Sequence, residues 1–302
     1  MSRSFFKVIT GLIKIMRSEK EMMDLILNTA TADERIRAVV QNGSRVNPDV
    51  KKDIFQDYDI VYFVRDIDPF KNKEYIKRFG KILVMQTPDD MVGEDSRQDG
   101  YAYLMQFTDG NRIDLTFNTP DMISEVLSDS LSVILLDKDG LLGNINPPDE
   151  SGYFPSKPSS KQFNDCCNEF WWVNPYVAKA LWRKQTPYAR HILEHYLRKE
   201  LSKMKMWYFG IKTGFCMSPG KSGSNMDKYM EPEIKYHIDA SYPRLDDCEI
   251  WDALYAMGKA FRIMAVFVAE KSGFEYNKTE DENVTTFIHH IHNLPQGAKE
   301  IF

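Results

Sequence analysis

Asn42-Gly43-Ser44-Arg45, followed after a spacer by Gln56-Asp57-Tyr58-Asp59-Ile60, is the stretch that decides the fold. The residues before it, Ile36-Arg-Ala-Val-Val-Gln41, are a β-branched run, so Asn42-Gly43 reads as the turn that ends a strand. Tyr58-Asp-Ile-Val-Tyr-Phe-Val64 reads as a second strand. Asp57 and Asp59 then stand two apart at its head and point to one face, with Cα atoms about 6.5 Å apart at roughly 3.3 Å per residue. A third carboxylate, Asp114, lies in Arg112-Ile113-Asp114-Leu115 between apolar neighbours. A lone carboxylate in mid-strand destabilises the fold unless it is paired or bound to metal. Three carboxylates on one face form an oxygen-rich set suited to Mg²⁺. Two such ions about 3.5–4 Å apart clamp the attacking and leaving oxygens of a phosphoryl displacement. Gly43 and Ser44, at a turn, offer backbone N–H groups and a hydroxyl to phosphate oxygens. Arg45 adds a charged donor.

The strands extend outward from this centre. Lys81-Ile-Leu-Val-Met-Gln86 reads as a third strand, stopped by Thr87-Pro88. Tyr101–Phe107 and Arg112–Phe117 flank Thr108-Asp-Gly-Asn111, and Asp-Gly between two such runs is a hairpin signal. Leu131–Leu136 reads as a last strand. Ser18 with Glu21 makes a capping-box pattern, so a helix starts there. Between Asn144 and Ser160, Pro147, Pro148, Pro155 and Pro158 interrupt any helical or strand period. Beyond that loop the period is helical, over Pro175–Lys205 and again over Ile250–Glu270. The expected class is α+β. A mixed sheet with flanking helices occupies residues 16–150, a helical bundle residues 151–302, and a cleft lies between the two domains. Residues 1–15 form an N-terminal extension.

Composition narrows the function. The chain has 302 residues, 43% of them hydrophobic and 27% charged, which excludes a disordered or fibrous chain. Lys and Arg number 39 against 44 Asp and Glu, a net charge of −5. Non-specific nucleic-acid affinity comes mostly from Lys and Arg displacing counterions, so an acidic chain is a poor nucleic-acid coat. No uncharged apolar run is long enough to span a membrane. Lys7 and Lys14 break the apolar N-terminal run and no small-x-small cleavage site follows, so an exported signal is not expected. The four cysteines form no C-x-x-C pair, consistent with free thiols in a reducing cytoplasm. Gly214-Phe-Cys-Met-Ser-Pro-Gly220-Lys-Ser222 has one residue too many between its glycines for a P-loop.

Gly-Ser, a spacer, Asp-x-Asp and a later strand Asp resemble the nucleotidyltransferase superfamily that includes DNA polymerase β and many antibiotic-modifying enzymes. The likeness is closer to one branch. Asn42-Gly-Ser-Arg-Val-Asn-Pro48, Phe55-Gln-Asp-Tyr-Asp-Ile60, Asp109-Gly-Asn-Arg-Ile-Asp-Leu115 and Asn168-Glu-Phe-Trp-Trp-Val-Asn-Pro-Tyr-Val-Ala-Lys179 look like aminoglycoside 6-adenylyltransferases of the streptomycin-modifying type. The likeness runs from about Met16 to near the C-terminus. It implies a polymerase-β-like nucleotidyltransferase domain that transfers AMP from ATP to the 6-hydroxyl of streptomycin and releases pyrophosphate. By that analogy Asp57 and Asp59 hold Mg²⁺ and Ser44 binds the triphosphate with help from Arg45. Asp114 completes the carboxylate set and serves as general base. Lys179 reaches the ATP phosphates from the helical domain. A drug with two guanidinium groups needs carboxylates and aromatic faces, which Glu169, Trp171 and Trp172 supply.

Two other readings compete. A nucleotidyltransferase acting on RNA or protein needs a basic stripe or exposed stacking aromatics near the cleft, whereas Asp227–Asp252 is rich in acid. A catalytically inactive nucleotide-binding module loses carboxylates, whereas Asp57, Asp59 and Asp114 are all present.

Overall fold

The computed structural model describes residues 16–92 and 99–302. The described residues divide into two compact units that part after Gly152, and the expected extension, residues 1–15, lies outside the described residues.

The first unit opens with α1 (Glu19–Ala32), started by a complete capping box between Ser18 and Glu21. Six strands follow: β1 (Ile36–Asn42), β2 (Tyr58–Val64), β3 (Ile82–Gln86), β4 (Gly100–Phe107), β5 (Arg112–Asn118) and β6 (Ser132–Asp137). They form one mixed sheet in the order β3-β4-β5-β2-β1-β6, in which β2 and β5 run parallel and every other pair antiparallel. The period-2 alternation of each strand sorts its side chains between two faces. Tyr58, Ile60, Tyr62, Ile113, Leu115 and Phe117 point to the face that Met22, Ile26 and Ala30 of α1 cover, and there they build the main core. Part of the other face is covered by a smaller cluster of Ala38, Val40, Phe63 and Leu142, with Met122 to Leu127 packed on it. Asp59 and Asp114 belong to this second face, and both are half-buried.

The second unit is helical. Its helices are α2 (Ser160–Trp182), α3 (Thr186–Ile192), α4 (Arg198–Lys212), α5 (Pro232–Ala240), α6 (Asp247–Ser272) and α7 (Lys278–Asn293), with a π turn at Leu193–Leu197. Helix α2 begins well before the expected Pro175, because Ser159 and Gln162 form a capping box. Pro175 lies inside it and removes one i→i−4 bond without ending the helix. The helical period read over Pro175–Lys205 is shared between helices, with a break after Trp182, where Lys184 takes a positive φ of 58° and Pro187 opens α3. Helices α5 and α7 add to the two helical segments read from the sequence, and Val284, Phe287, Ile288 and Ile291 recur at helical spacing in α7. Phe170 and Phe261 stack face to face at 3.8 Å in the core. No helix among the described residues is long and apolar enough to cross a membrane.

Candidate active site

In the first unit, the functional side chains are placed by β2 and β5. The two strands are parallel neighbours with Asp59 opposite Asp114 in register, so two residues distant in sequence become adjacent carboxylates about one strand spacing, roughly 4.8 Å, apart in the backbone. Asp57 immediately precedes β2. On the other side of Asp59 lies Asn42, its β1 partner.

The Gly43–Arg45 turn is held against this centre. Gly43 has φ 79°, and a Cβ there would run into the Asp59 carboxylate. Only glycine combines that backbone angle with that approach. Its N–H donates to the Leu131 carbonyl at 3.0 Å, so it is committed to the fold rather than offered to phosphate. The Ser44 carbonyl accepts from Gln56 Nε2 at 3.1 Å, while the residue itself is exposed. Arg45 turns inward: Nη2 donates to the Gln56 carbonyl at 2.7 Å and Nε to the Asp57 carbonyl at 3.1 Å. Its guanidinium lies 3.7 Å over the Tyr58 ring, and the side chain is 8% exposed. The sequence reading placed this charge on a nucleotide; in the structure it staples the turn to the Asp57 segment.

Arg112 is the site residue that the sequence reading missed. Its Nε and Nη2 each donate to one oxygen of Asp114 at 2.8 Å, a two-point pair. The same Nε stands 3.6 Å from Asp57 Oδ2. The hydrogen bonds to Asp114 raise the guanidinium above its ordinary pKa against the pull of desolvation, and the charges of Asp114, Asp57 and Asp59 add to the rise. Arg112 was legible as an i−2 neighbour of Asp114 on one strand face, but its reach to Asp57 needs the β2–β5 pairing.

The donors of this centre suit a hard divalent cation, being carboxylate oxygens, and the buried Asn42 Oδ1 and Gln56 Oε1 beside them accept no hydrogen bond. As the side chains stand, no three His, Cys, Asp or Glu among the described residues are gathered into a metal cluster. Arg112 lies between Asp57 and Asp114 instead.

Asp109, in the β4–β5 turn, serves the fold. It accepts from Arg17 and Asn111, and Arg17 also donates to the Phe79 carbonyl at 2.5 Å. Burial pushes the Asp109 carboxyl up, but these hydrogen bonds outweigh it and hold the group at about 2.

The remaining candidates belong to the second unit. Glu169, Trp172 and Tyr176 are exposed along α2, and Trp172 is 64% exposed. Trp171 is only 2% exposed; its Nε1 donates to Tyr276 Oη at 3.1 Å, and Tyr276 in turn donates to the buried Asp281. Of the two tryptophans, Trp172 is the one with a broad solvent-facing ring. Glu169 borders a cavity of about 530 Å³ that also includes Asp165, Glu200, Lys203 and Trp207. Lys179 sits 5.8 Å from the rings of both Tyr176 and Phe287. The acidic run after Asp227 is largely paired: Asp227 with Lys205 and Lys235, Glu231 with Lys212, Asp247 with Lys184 and Glu249 with Arg244.

The sequence model of the streptomycin adenylyltransferase family matches residues 16–291. An aminoglycoside 6-adenylyltransferase of Campylobacter jejuni is 37% identical over 275 residues, covering 90% of this chain and 95% of that protein. One of Staphylococcus aureus is 40% identical over 219 residues, covering 71% of this chain and 78% of that protein. Among solved structures, an aminoglycoside 6-adenyltransferase from Bacillus subtilis shares 33% identity, covering 92% of this chain and all of that one, with a TM-score of 0.45.

Proposed function

Because the chain belongs to the streptomycin adenylyltransferase family, an aminoglycoside-modifying group of nucleotidyltransferases, we propose that it transfers AMP from Mg-ATP to the 6-hydroxyl of streptomycin. The observation that carries the proposal beyond family membership is the juxtaposition of Asp59 and Asp114 across β2 and β5, seated against Gly43.

In the reaction the acceptor hydroxyl oxygen bonds to the α-phosphorus of ATP. The bond from that phosphorus to the bridging oxygen breaks, pyrophosphate leaves, and the hydroxyl proton passes to a base. Asp57, Asp59 and Asp114 would hold the divalent ions, which when bound neutralise charge on the triphosphate. Each oxygen of a carboxylate has two lone pairs, and the Arg112 fork uses one on each oxygen of Asp114. The lone pairs left over make Asp114 our candidate general base as well as a ligand. The Ser44 hydroxyl, on its exposed turn, would receive a phosphate oxygen, and Lys179 is our candidate for a further phosphate-binding cation. Arg45 acts by holding the turn. On the acceptor side, Glu169 pairs with a guanidinium and Trp172 offers a ring face for stacking, with Trp171 fixing the helix beneath them. Use of ATP as the AMP donor supports a cytoplasmic setting for this activity.

The test is pyrophosphate release from Mg-ATP with streptomycin, with kanamycin or with no acceptor, for the wild type and Asp57→Asn. Release with streptomycin alone, lost in the variant, is the expected result. Folded protein that binds Mg-ATP yet releases nothing with any aminoglycoside would overturn the proposal.

A further inference from the structure

We infer that Arg112 is a built-in counter-cation for the carboxylate centre: it orients Asp114 for its work and holds down the affinity of the centre for free divalent ions. The inference rests on the reading that Asp57, Asp59 and Asp114 form the cation site.

Three observations carry it. First, the Arg112–Asp114 pair is bidentate, with both bonds at 2.8 Å, so the carboxylate plane is fixed by the guanidinium plane. Second, Arg112 Nε lies 3.6 Å from Asp57 Oδ2, so one guanidinium touches a carboxylate on each side of the β2–β5 seam. Third, Arg45, beside Asp57 and Tyr58, directs two of its donors to backbone carbonyls and its plane onto Tyr58. It adds no such bridge.

The two effects of Arg112 oppose each other. Orientation favours catalysis, because a ligand or base that is already aligned needs no reordering when substrate arrives. Partial neutralisation disfavours a free cation, because one positive charge offsets part of the attraction from three carboxylates. Nucleotide-bound metal brings its own phosphate ligands, so it depends less on the protein charge than a bare ion does. Arg112 therefore biases the centre toward the metal–nucleotide complex over the free ion.

The experiment is binding of Mn²⁺ to the full chain without nucleotide, followed by electron paramagnetic resonance, in the wild type and in Arg112→Gln, Arg112→Lys and Asp59→Asn. Thermal melting accompanies each variant. Arg112→Gln should bind Mn²⁺ about tenfold more tightly and lose kcat with little change in the KM for ATP. Arg112→Lys keeps the charge and loses the fork, so its Mn²⁺ affinity should stay near that of the wild type while kcat still falls. Unchanged or weaker Mn²⁺ binding in folded Arg112→Gln would overturn the inference. If Arg112→Gln does not fold, tighter Mn²⁺ binding by Arg112→Lys would overturn it in the same way. The underlying site reading has its own control: Mn²⁺ binding that survives intact in Asp59→Asn, or is absent from both the wild type and Arg112→Gln, removes the cation site and the inference with it.

Discussion

Gly43 and Asp59 are in direct contact, and the backbone of the first leaves room for the carboxylate of the second only because it carries no side chain. Gly43→Ala would therefore act twice. An L-residue at φ 79° is strained by roughly 1–2 kcal/mol, and the new methyl group displaces the Asp59 carboxyl. The expected outcome is a modest drop in melting temperature with a loss of about 100-fold or more in kcat/KM, since small misplacement of a reacting group is that costly. Near-normal adenylyl transfer by this variant would show that Gly43 does not seat Asp59.

Arg45 offers a clean separation of roles. If it holds the turn, Arg45→Ala loses two charged hydrogen bonds and a ring contact, and stability falls by about 2 kcal/mol. A residue bound to the triphosphate would instead raise the KM for ATP and leave the melt unchanged. Melting curves beside an ATP titration distinguish the two, and we expect the loss in the melt.

The Asp109 carboxyl sits at about 2 in the folded protein, below its unfolded value of about 3.9. Its contribution is therefore fully present above the unfolded value and disappears as pH falls through the folded one. The side chain is 6% exposed, and the gap corresponds to about 2–3 kcal/mol at neutral pH. Asp109→Asn should be less stable than the wild type by that order at pH 7, with the difference shrinking between about pH 4 and pH 2. Urea unfolding across this range checks the sign, which reverses if Arg17 and Asn111 do not favour the ionised form.

Trp171 and Trp172 should part company. Trp171→Ala removes a core ring and the partner of Tyr276, and about 3–5 kcal/mol of stability goes with it. Trp172→Ala touches an exposed ring and should leave stability within about 0.5 kcal/mol, while raising the KM for streptomycin. Paired melts and acceptor kinetics would show this, and an unchanged KM in Trp172→Ala would remove that ring from the acceptor site.

Much of this centre is legible in local sequence, because local rules have short range. Ser18 and Glu21 satisfy each other's backbone partners within one turn, so the start of α1 follows from four residues. The period of two puts Tyr58 and Ile60 on one face and Asp59 on the other. Asp-Gly between apolar runs announces the β4–β5 hairpin, which spans Gly100–Asn118. The helical unit is harder to read. Its breaks depend on one capped serine at 159 and one positive φ at Lys184, and Pro175, a usual helix stop, is carried inside α2.

The sequence by itself determined the inventory: three carboxylates, a glycine–serine turn, an arginine beside it and the strands that carry them. Pairing decided the use of each. Only the parallel contact of β2 with β5 makes Asp59 and Asp114 neighbours, and no local propensity encodes which strands of a sheet meet. The fate of a long charged side chain is likewise a tertiary matter, since its guanidinium goes wherever acceptors and ring faces satisfy it. Arg45, read from the sequence as a nucleotide ligand, lies against two carbonyls and Tyr58, a placement that no local pattern announces. Arg112, given no role in the sequence reading, pairs with Asp114 and lies within ion-pair reach of Asp57.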